Sequence, residues 1–322
     1  MNPLPDFVHA GALRLAYETQ GPRDGVPVLL VHGLGQQLTG WPDALVAMLA
    51  QAGYRVIRFD NRDVGKSSRL RGRPSLGWLY LRARVGLPGA APYRLDDLAH
   101  DTVSLIDQLC RGPVHLVGAS MGGMVAQIVA ARFPAAVRSL CSIMSSSGER
   151  GLPQARADVM QLMMKAPRAG ASLEQVVAHG VALWERIGSP DYPTPRSRLE
   201  LKVRRDLARN GADAGGADRQ FAAILASGSR VPLLAQVLAP TLVLHGEADP
   251  LVPPEAGRST ARHIPGALFE GIPGMGHDFP DALLPRLAER LIRHFRFADR
   301  AAAGDPAPAQ PGQPHITQGA WA

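Results

Sequence analysis

The chain has 322 residues, of which 46% are apolar and 20% charged, an ordinary globular balance that fits one large α/β domain with room for an inserted subdomain. No apolar run approaches the roughly eighteen residues of a membrane helix, and the start "MNPLPDFVHAGALRLAYETQG" lacks a basic region followed by an apolar core, so neither a transmembrane segment nor a secretory leader is expected. The net charge of +7 sits in residues 55–84, where nine Arg or Lys face only Asp60 and Asp63; nucleic-acid binding would also need a recognisable module, and none is present.

"VPVLLVHGLG" (26–35) is a short β-branched run ending in glycine and predicts a buried strand. "WPDALVAMLAQAG" (41–53) has helical apolar spacing, with Pro42 near its start and Gly53 just past its end. A second strand follows at 54–60, then an amphipathic helix at 95–109 with acids in its first turn. "VHLVG" (114–118) predicts a strand and "MVAQIVAARFP" (124–134) a helix stopped by Pro134. Further strands are expected at 137–147, at 240–250 and from 267, and a closing helix at about 281–297. Alternation of this kind predicts a mostly parallel sheet covered by helices on both faces.

Residues 148–235 break the alternation. They carry helical patterns such as "SLEQVVAHGVALWERI" and no convincing strand, which predicts a helical cap inserted between two sheet strands. The expected organisation is therefore a core at 1–147 and 236–298, the cap at 148–235, and a tail at 299–322 rich in Ala, Pro and Gly and expected to be disordered. Cys110 and Cys141 lie in apolar surroundings and read as buried thiols of a reducing, cytoplasmic compartment rather than as a disulfide.

Between the strand at 114–118 and the helix after it stands "GASMG", Gly118 to Gly122. Alone, Gly-x-Ser-x-Gly also fits a glycine-rich turn with a solvated serine. Strand before and helix after make it a nucleophile elbow, in which a strained Ser120 is lifted clear of the sheet at a helix N-terminus. The Met121 amide can then face a developing oxyanion. A serine needs a base, and Asp249 and His277 each follow a strand, in the order nucleophile, acid, histidine. "HGLG" (32–35) ends the strand expected beside the elbow, so the Leu34 amide is the second candidate donor. His32 reads as a structural residue of that loop, and His115 and His245 as core histidines. No His/Cys/Asp/Glu cluster has metal-ligand spacing, and the proposed chemistry needs no cofactor.

Through "VHGLG", "RFDNRDVGKSS", "GASMGG", "HGEADPLVP" and "GMGH" the chain resembles the α/β-hydrolase superfamily over about residues 10–298, and within it bacterial carboxylesterases of the aclacinomycin methylesterase type. The resemblance implies the α/β-hydrolase fold, a helical cap over the site, and hydrolysis of a small-molecule carboxylic ester. In that reading Ser120 attacks, His277 is the base, Asp249 orients it, and Leu34 and Met121 hold the oxyanion. Small to medium acyl groups are expected to be favoured. The same triad also serves thioesterases, peptidases and C–C hydrolases, and a receptor-like protein with slow hydrolysis is the alternative from another class. The basic stretch at 55–84 is open between a solvated face and attraction of an anionic substrate or membrane surface. The oligomeric state is not legible.

Overall fold

The computed structural model describes residues 5–85, 87, 89–167, 170–210 and 215–304. Its eight strands form one sheet, in the order β1-β2-β4-β3-β5-β6-β7-β8. β1 (Asp6–Ala10) and β2 (Leu13–Gln20) are an antiparallel hairpin at one edge, turned at Gly11 with φ +58°. β3 (Pro27–Val31), β4 (Arg55–Phe59), β5 (Val114–Ala119), β6 (Val137–Ile143), β7 (Thr241–Gly246) and β8 (Leu268–Ile272) run parallel. The parallel α/β expectation holds; the hairpin is an addition to it.

Because the central strands are covered on both sides, they are mostly apolar, and every residue of β5 and β7 is buried, His115, Thr241 and His245 included. On one face α1 (Asp43–Gln51), with Trp41 just before it, and α11 (Leu284–Ala303) pack Leu45, Leu291 and Phe295 beside the Trp41 ring against Val28, Leu30, Val117 and Leu244. On the other, α3 (Leu95–Leu109) and α4 (Met121–Arg132) pack Leu98, Leu105, Val125 and Val129 against Leu29, Ile57 and Leu116. Burying each Leu or Phe contributes about 1.5–3 kcal/mol.

α11 runs past the expected end at residue 297. Leu284, Leu287, Ala288, Leu291, Phe295 and Ala298 make one continuous buried stripe. Asp299 is tied down by Arg138 at 2.9 Å, and Gly304, left-handed at φ +78°, ends the helix. Residues 299–303 of the expected tail are therefore helical, and residues 305–322 lie outside the described residues.

Two shorter helices in the core were not anticipated: α2 (Leu76–Arg84) within the basic stretch, and α10 (Pro254–His263) after β7. Between β6 and β7 come α5 (Ala157–Met164), α6 (Leu173–Ile187), α7 (Arg196–Asn210), α8 (Gly215–Ser227) and α9 (Val231–Leu234). α6 starts with a reciprocal Ser172–Gln175 capping box. It packs on α7 through Val177, Val181, Leu199 and Val203. A Cβ at Gly180 would come within 2.9 Å of Val203, so the glycine sets how closely the two helices approach.

α7 and α8 sit on the loops at the carboxyl ends of β3 and β4. Arg209 reaches Asp60 at 2.7 Å, and Arg219 grips both oxygens of Asp63 at 2.9 and 3.0 Å. Asp60 and Asp63 are fully buried side chains. Four cations of the basic stretch are likewise used inside the fold. Arg55 donates to Leu109 O, Arg58 pairs with Glu18 and Asp43, Arg62 forks onto Asp101, and Arg69 donates to Gly65 O and Asn210 O.

Candidate active site

The sharp turn from β5 into α4 is made by Ser120. Its φ of +55° lies in the left-handed region, at a cost of order 1–3 kcal/mol for a residue with a side chain. Backbone contacts hold it there. The Ser120 amide donates to Ile143 O at 2.9 Å, and its carbonyl accepts from Ser145 Oγ at 2.7 Å and from the Gly123 and Met124 amides. The flanking glycines are sterically required. A Cβ on Gly118 would lie 2.3 Å from Gly122 O, and one on Gly122 would lie 2.0 Å from Val31 O. That is why only the smallest residue stands two positions to either side of the serine.

The structure brings Ser120, Asp249 and His277 together. His277 Nε2 is 3.0 Å from Ser120 Oγ, and His277 Nδ1 is 2.6 Å from Asp249 Oδ2. Asp249 and His277 are buried, while Ser120 is half-buried. The other carboxylate oxygen, Asp249 Oδ1, accepts from the Leu251 and Val252 amides at 2.9 and 2.8 Å. Each oxygen thus has its own donors, and the carboxylate cannot rotate without losing them. His245 approaches Asp249 Oδ2 at 3.6 Å, but its Nε2 bonds Val252 O at 2.8 Å and burial pulls its pKa down. It is a neutral core histidine.

Asp278 stands next to His277 in sequence but faces elsewhere. It accepts from the Ser189 hydroxyl, and burial pushes its carboxyl upward against the opposing effect of that hydrogen bond. Ser189 Oγ also accepts from the Gly276 amide at 2.9 Å, and the His277 amide donates to Ile187 O at 2.7 Å. The end of α6 therefore clamps the loop that carries His277. Sequence reasoning missed this clamp, since Ser189 and Gly276 are 87 positions apart and no local pattern joins them.

On the other side of the serine runs the loop after β3, placed there by the pairing of Val31 with Gly118. Gly33 passes so near that a Cβ would meet Ser120 Cβ at 3.0 Å. Gly35, left-handed at φ +68°, donates its amide to Gln220 Oε1 of α8 at 2.8 Å, another contact without a sequence signal. Among the described residues neither the Leu34 nor the Met121 amide has a hydrogen-bond acceptor. Met121 is the first residue of α4, where helix geometry leaves the amide unpaired. His32 Nδ1 accepts from the Gly33 amide at 2.6 Å, its ring stands edge-on to Trp41, and burial lowers its pKa to about 3. It is a neutral prop of the loop. His115 is buried against Ser139 Oγ at 2.8 Å. Among the described residues no group of three His, Cys, Asp or Glu is arranged to hold a metal ion.

The model of the alpha/beta hydrolase fold family matches residues 26–281. The chain is 29% identical over 292 residues to rhodomycin D methylesterase DauP of Streptomyces sp. (strain C5), covering 84% of this chain and 91% of that protein. It is 28% identical to rhodomycin D methylesterase DnrP of Streptomyces peucetius, covering 87% and 94%. Among solved structures it resembles a thermophilic esterase from Thermogutta terrifontis, with 26% identity and a TM-score of 0.65 over 88% of this chain and 94% of the other.

Proposed function

This chain belongs to the alpha/beta hydrolase fold family, and from that premise we propose that it hydrolyses carboxylic esters through an acyl-enzyme on Ser120. The observation that carries the proposal is the unbroken hydrogen-bond chain from Ser120 Oγ through both nitrogens of His277 to Asp249. With the Nδ1 proton directed at the carboxylate, Nε2 is left as the acceptor for the serine proton. Oγ attacks the ester carbonyl as Nε2 takes that proton. The carbonyl oxygen becomes an oxyanion within reach of the Leu34 and Met121 amides, where preorganised donors act without reorganisation. Collapse expels the alcohol, which leaves with the proton held on Nε2. Water repeats the sequence on the acyl-enzyme, giving the acid and restoring Ser120. Likeness to two methylesterases supports esters of small alcohols as substrates. In this reading the helices from α5 to α9 act as a cap that selects the acyl part.

The experiment is labelling with a fluorophosphonate together with turnover of p-nitrophenyl butyrate. Wild type labels once and turns over, whereas Ser120→Ala does neither while keeping its circular dichroism. Labelling that persists in the Ala variant would place the nucleophile elsewhere. Stoichiometric hydrolysis without turnover in the wild type would identify a receptor-like protein.

A further inference from the structure

We propose that the face formed by α2 together with Val85 and Leu87 is a docking surface for an anionic lipid membrane. Residues 64–95 carry seven Lys or Arg and no Asp or Glu, which equals the whole net charge of +7; the other residues balance. Within that segment a strip of apolar side chains faces outward. Trp78 is 58% exposed, Leu81 55% and Val85 65%, at helical spacings of three and four, and Leu87 beyond them is 51% exposed. Leu79 is buried beneath, where α2 packs on α8. So α2 already has its partner on one side, while Trp78 and Leu81 on its other side, with Val85 and Leu87 just past its end, remain open to solvent.

Basic groups border this strip. The Arg82 guanidinium stands over the Trp78 ring at 5.7 Å, and Arg71 and Arg73 are exposed in the approach to the helix. A groove of about 650 Å³ lined by Ser75, Trp78, Leu79, Arg82, Gly89 and Ala90 runs beside the strip. Tryptophan with aliphatic side chains on one face and arginines around it is the composition of a helix that lies in a lipid interface, with its apolar side among acyl chains and its cations among headgroups. Charge decides among occupants. A second copy of the chain would bring two such cationic faces together, which repulsion opposes. A nucleic acid would meet the arginines but leave the apolar strip uncovered. Anionic lipid satisfies both. The surface stands independently of the triad and is one helix away from the Leu34 loop, through α8 and Gln220.

The test is co-sedimentation of the full chain with vesicles of equimolar phosphatidylglycerol and phosphatidylcholine, and with phosphatidylcholine alone. The fluorescence of Trp78 is followed in parallel. Binding to the anionic vesicles is expected, with a blue shift of emission absent in Trp78→Ser. It should weaken steeply from about 0.05 M to about 0.5 M NaCl, as the screening length shrinks. The double variant Arg71→Gln/Arg73→Gln should lose about 25-fold in affinity, at about fivefold for each arginine near the surface. Trp78→Ser/Leu81→Ser should lose about tenfold or more, from the apolar area no longer removed from water. All four positions are exposed and outside the triad, so both variants should keep their turnover of a soluble ester. Absence of binding to anionic vesicles at low salt would overturn the proposal, as would equal binding to both vesicle types. Affinity for poly-glutamate equal to that for the vesicles and unchanged by Trp78→Ser would also overturn it, assigning the face to an acidic protein instead.

Discussion

Asp249→Asn tests the proposed mechanism most sharply, because the structure dictates which way the new amide points. Asp249 Oδ1 accepts two backbone amides, at 2.9 and 2.8 Å. In the Asn variant that position must remain an oxygen, since an NH₂ group there would face two donors and leave both unpaired in a buried site. The NH₂ then occupies the place of Oδ2, 2.6 Å from His277 Nδ1. Two N–H groups cannot face one another, so Nδ1 must give up its proton and become the acceptor. The imidazole then carries its proton on Nε2, where it donates toward Ser120 instead of receiving from it. The base is present in the wrong tautomer and the imidazolium loses its counter-charge. Swaps of this kind cost about 10⁴ in kcat, or about 5.5 kcal/mol of barrier at 1.36 kcal/mol per tenfold. The assay is kcat and KM on p-nitrophenyl butyrate across pH, with fluorophosphonate labelling as a second readout. KM should change little, since the lost interaction is made in the transition state. Near wild-type turnover in Asp249→Asn combined with collapse in Asp278→Asn would refute the assignment and make Asp278 the orienting acid.

Three further expectations follow from packing and burial. Gly122→Ala should lose folded protein or activity, because its Cβ would stand 2.0 Å from Val31 O and 2.7 Å from His32 O, a clash at or above the usual overpacking cost of about 1–3 kcal/mol. Gly77→Ala on α2, with nothing within 4 Å, should instead gain about 0.5–1 kcal/mol; equal urea midpoints for the two variants would contradict the geometry. Arg219→Met should cost about 3–5 kcal/mol by leaving Asp63 buried and unpaired. Adding Asp63→Asn, which suits the left-handed φ of +75° and still accepts from the Leu70 amide, should restore most of it; a neutral single variant would refute the pairing argument. Burial holds His32 at a pKa of about 3 and His115 and His294 at about 4, all below the unfolded value. The unfolded chain therefore binds protons first, and the stability these histidines contribute is complete above about pH 6.5 and lost as pH falls toward 4. At pH 5 each should have lost about 2 kcal/mol; burial shifts the carboxyls of Asp60, Asp101 and Asp278 upward, which acts in the opposite sense. Urea midpoints that do not fall between pH 7.5 and pH 5 would contradict this.

What was legible in the sequence follows from how each element meets the core. β3, β5 and β7 are buried on both faces, so continuous apolar runs announce them. The three residues that converge at the site could be picked out because each follows one of the parallel strands within a few residues, where side chains from distant parts of the chain meet. The N-terminal hairpin was invisible for the opposite reason. It is an edge, and only Val8, Ala10, Leu15 and Ala16 are buried in it. α10 packs through Ala256, Gly257, Ser259 and Thr260, small residues that leave no apolar stripe. Boundaries moved where turn geometry overrode pattern. β6 stops at Ile143 because Met144 takes φ +42°, and α4 begins at Met121 although two glycines follow, because the elbow imposes the helix start.

The contacts that no pattern announced are those between the helical stretch and the core, and they bear on how the proposed site is tuned. Arg209–Asp60 and Arg219–Asp63 are buried pairs, and pairs of that kind add little net stability over well-packed apolar side chains. What they add is location, since a guanidinium fork meets a carboxylate in only a few orientations. They fix α7 and α8 over the loops following β3 and β4. Gln220 of α8 then holds the Gly35 amide beside Leu34, while Ile187 and Ser189 at the end of α6 hold Gly276 and His277. The helices that would shape the acyl pocket thus carry the supports for one proposed oxyanion donor and for the proposed general base. A substitution in α8 that enlarges the pocket also shifts the support under Gly35, so it should change kcat as well as KM. One confined to α5, which touches neither loop through these contacts, is free to change KM alone.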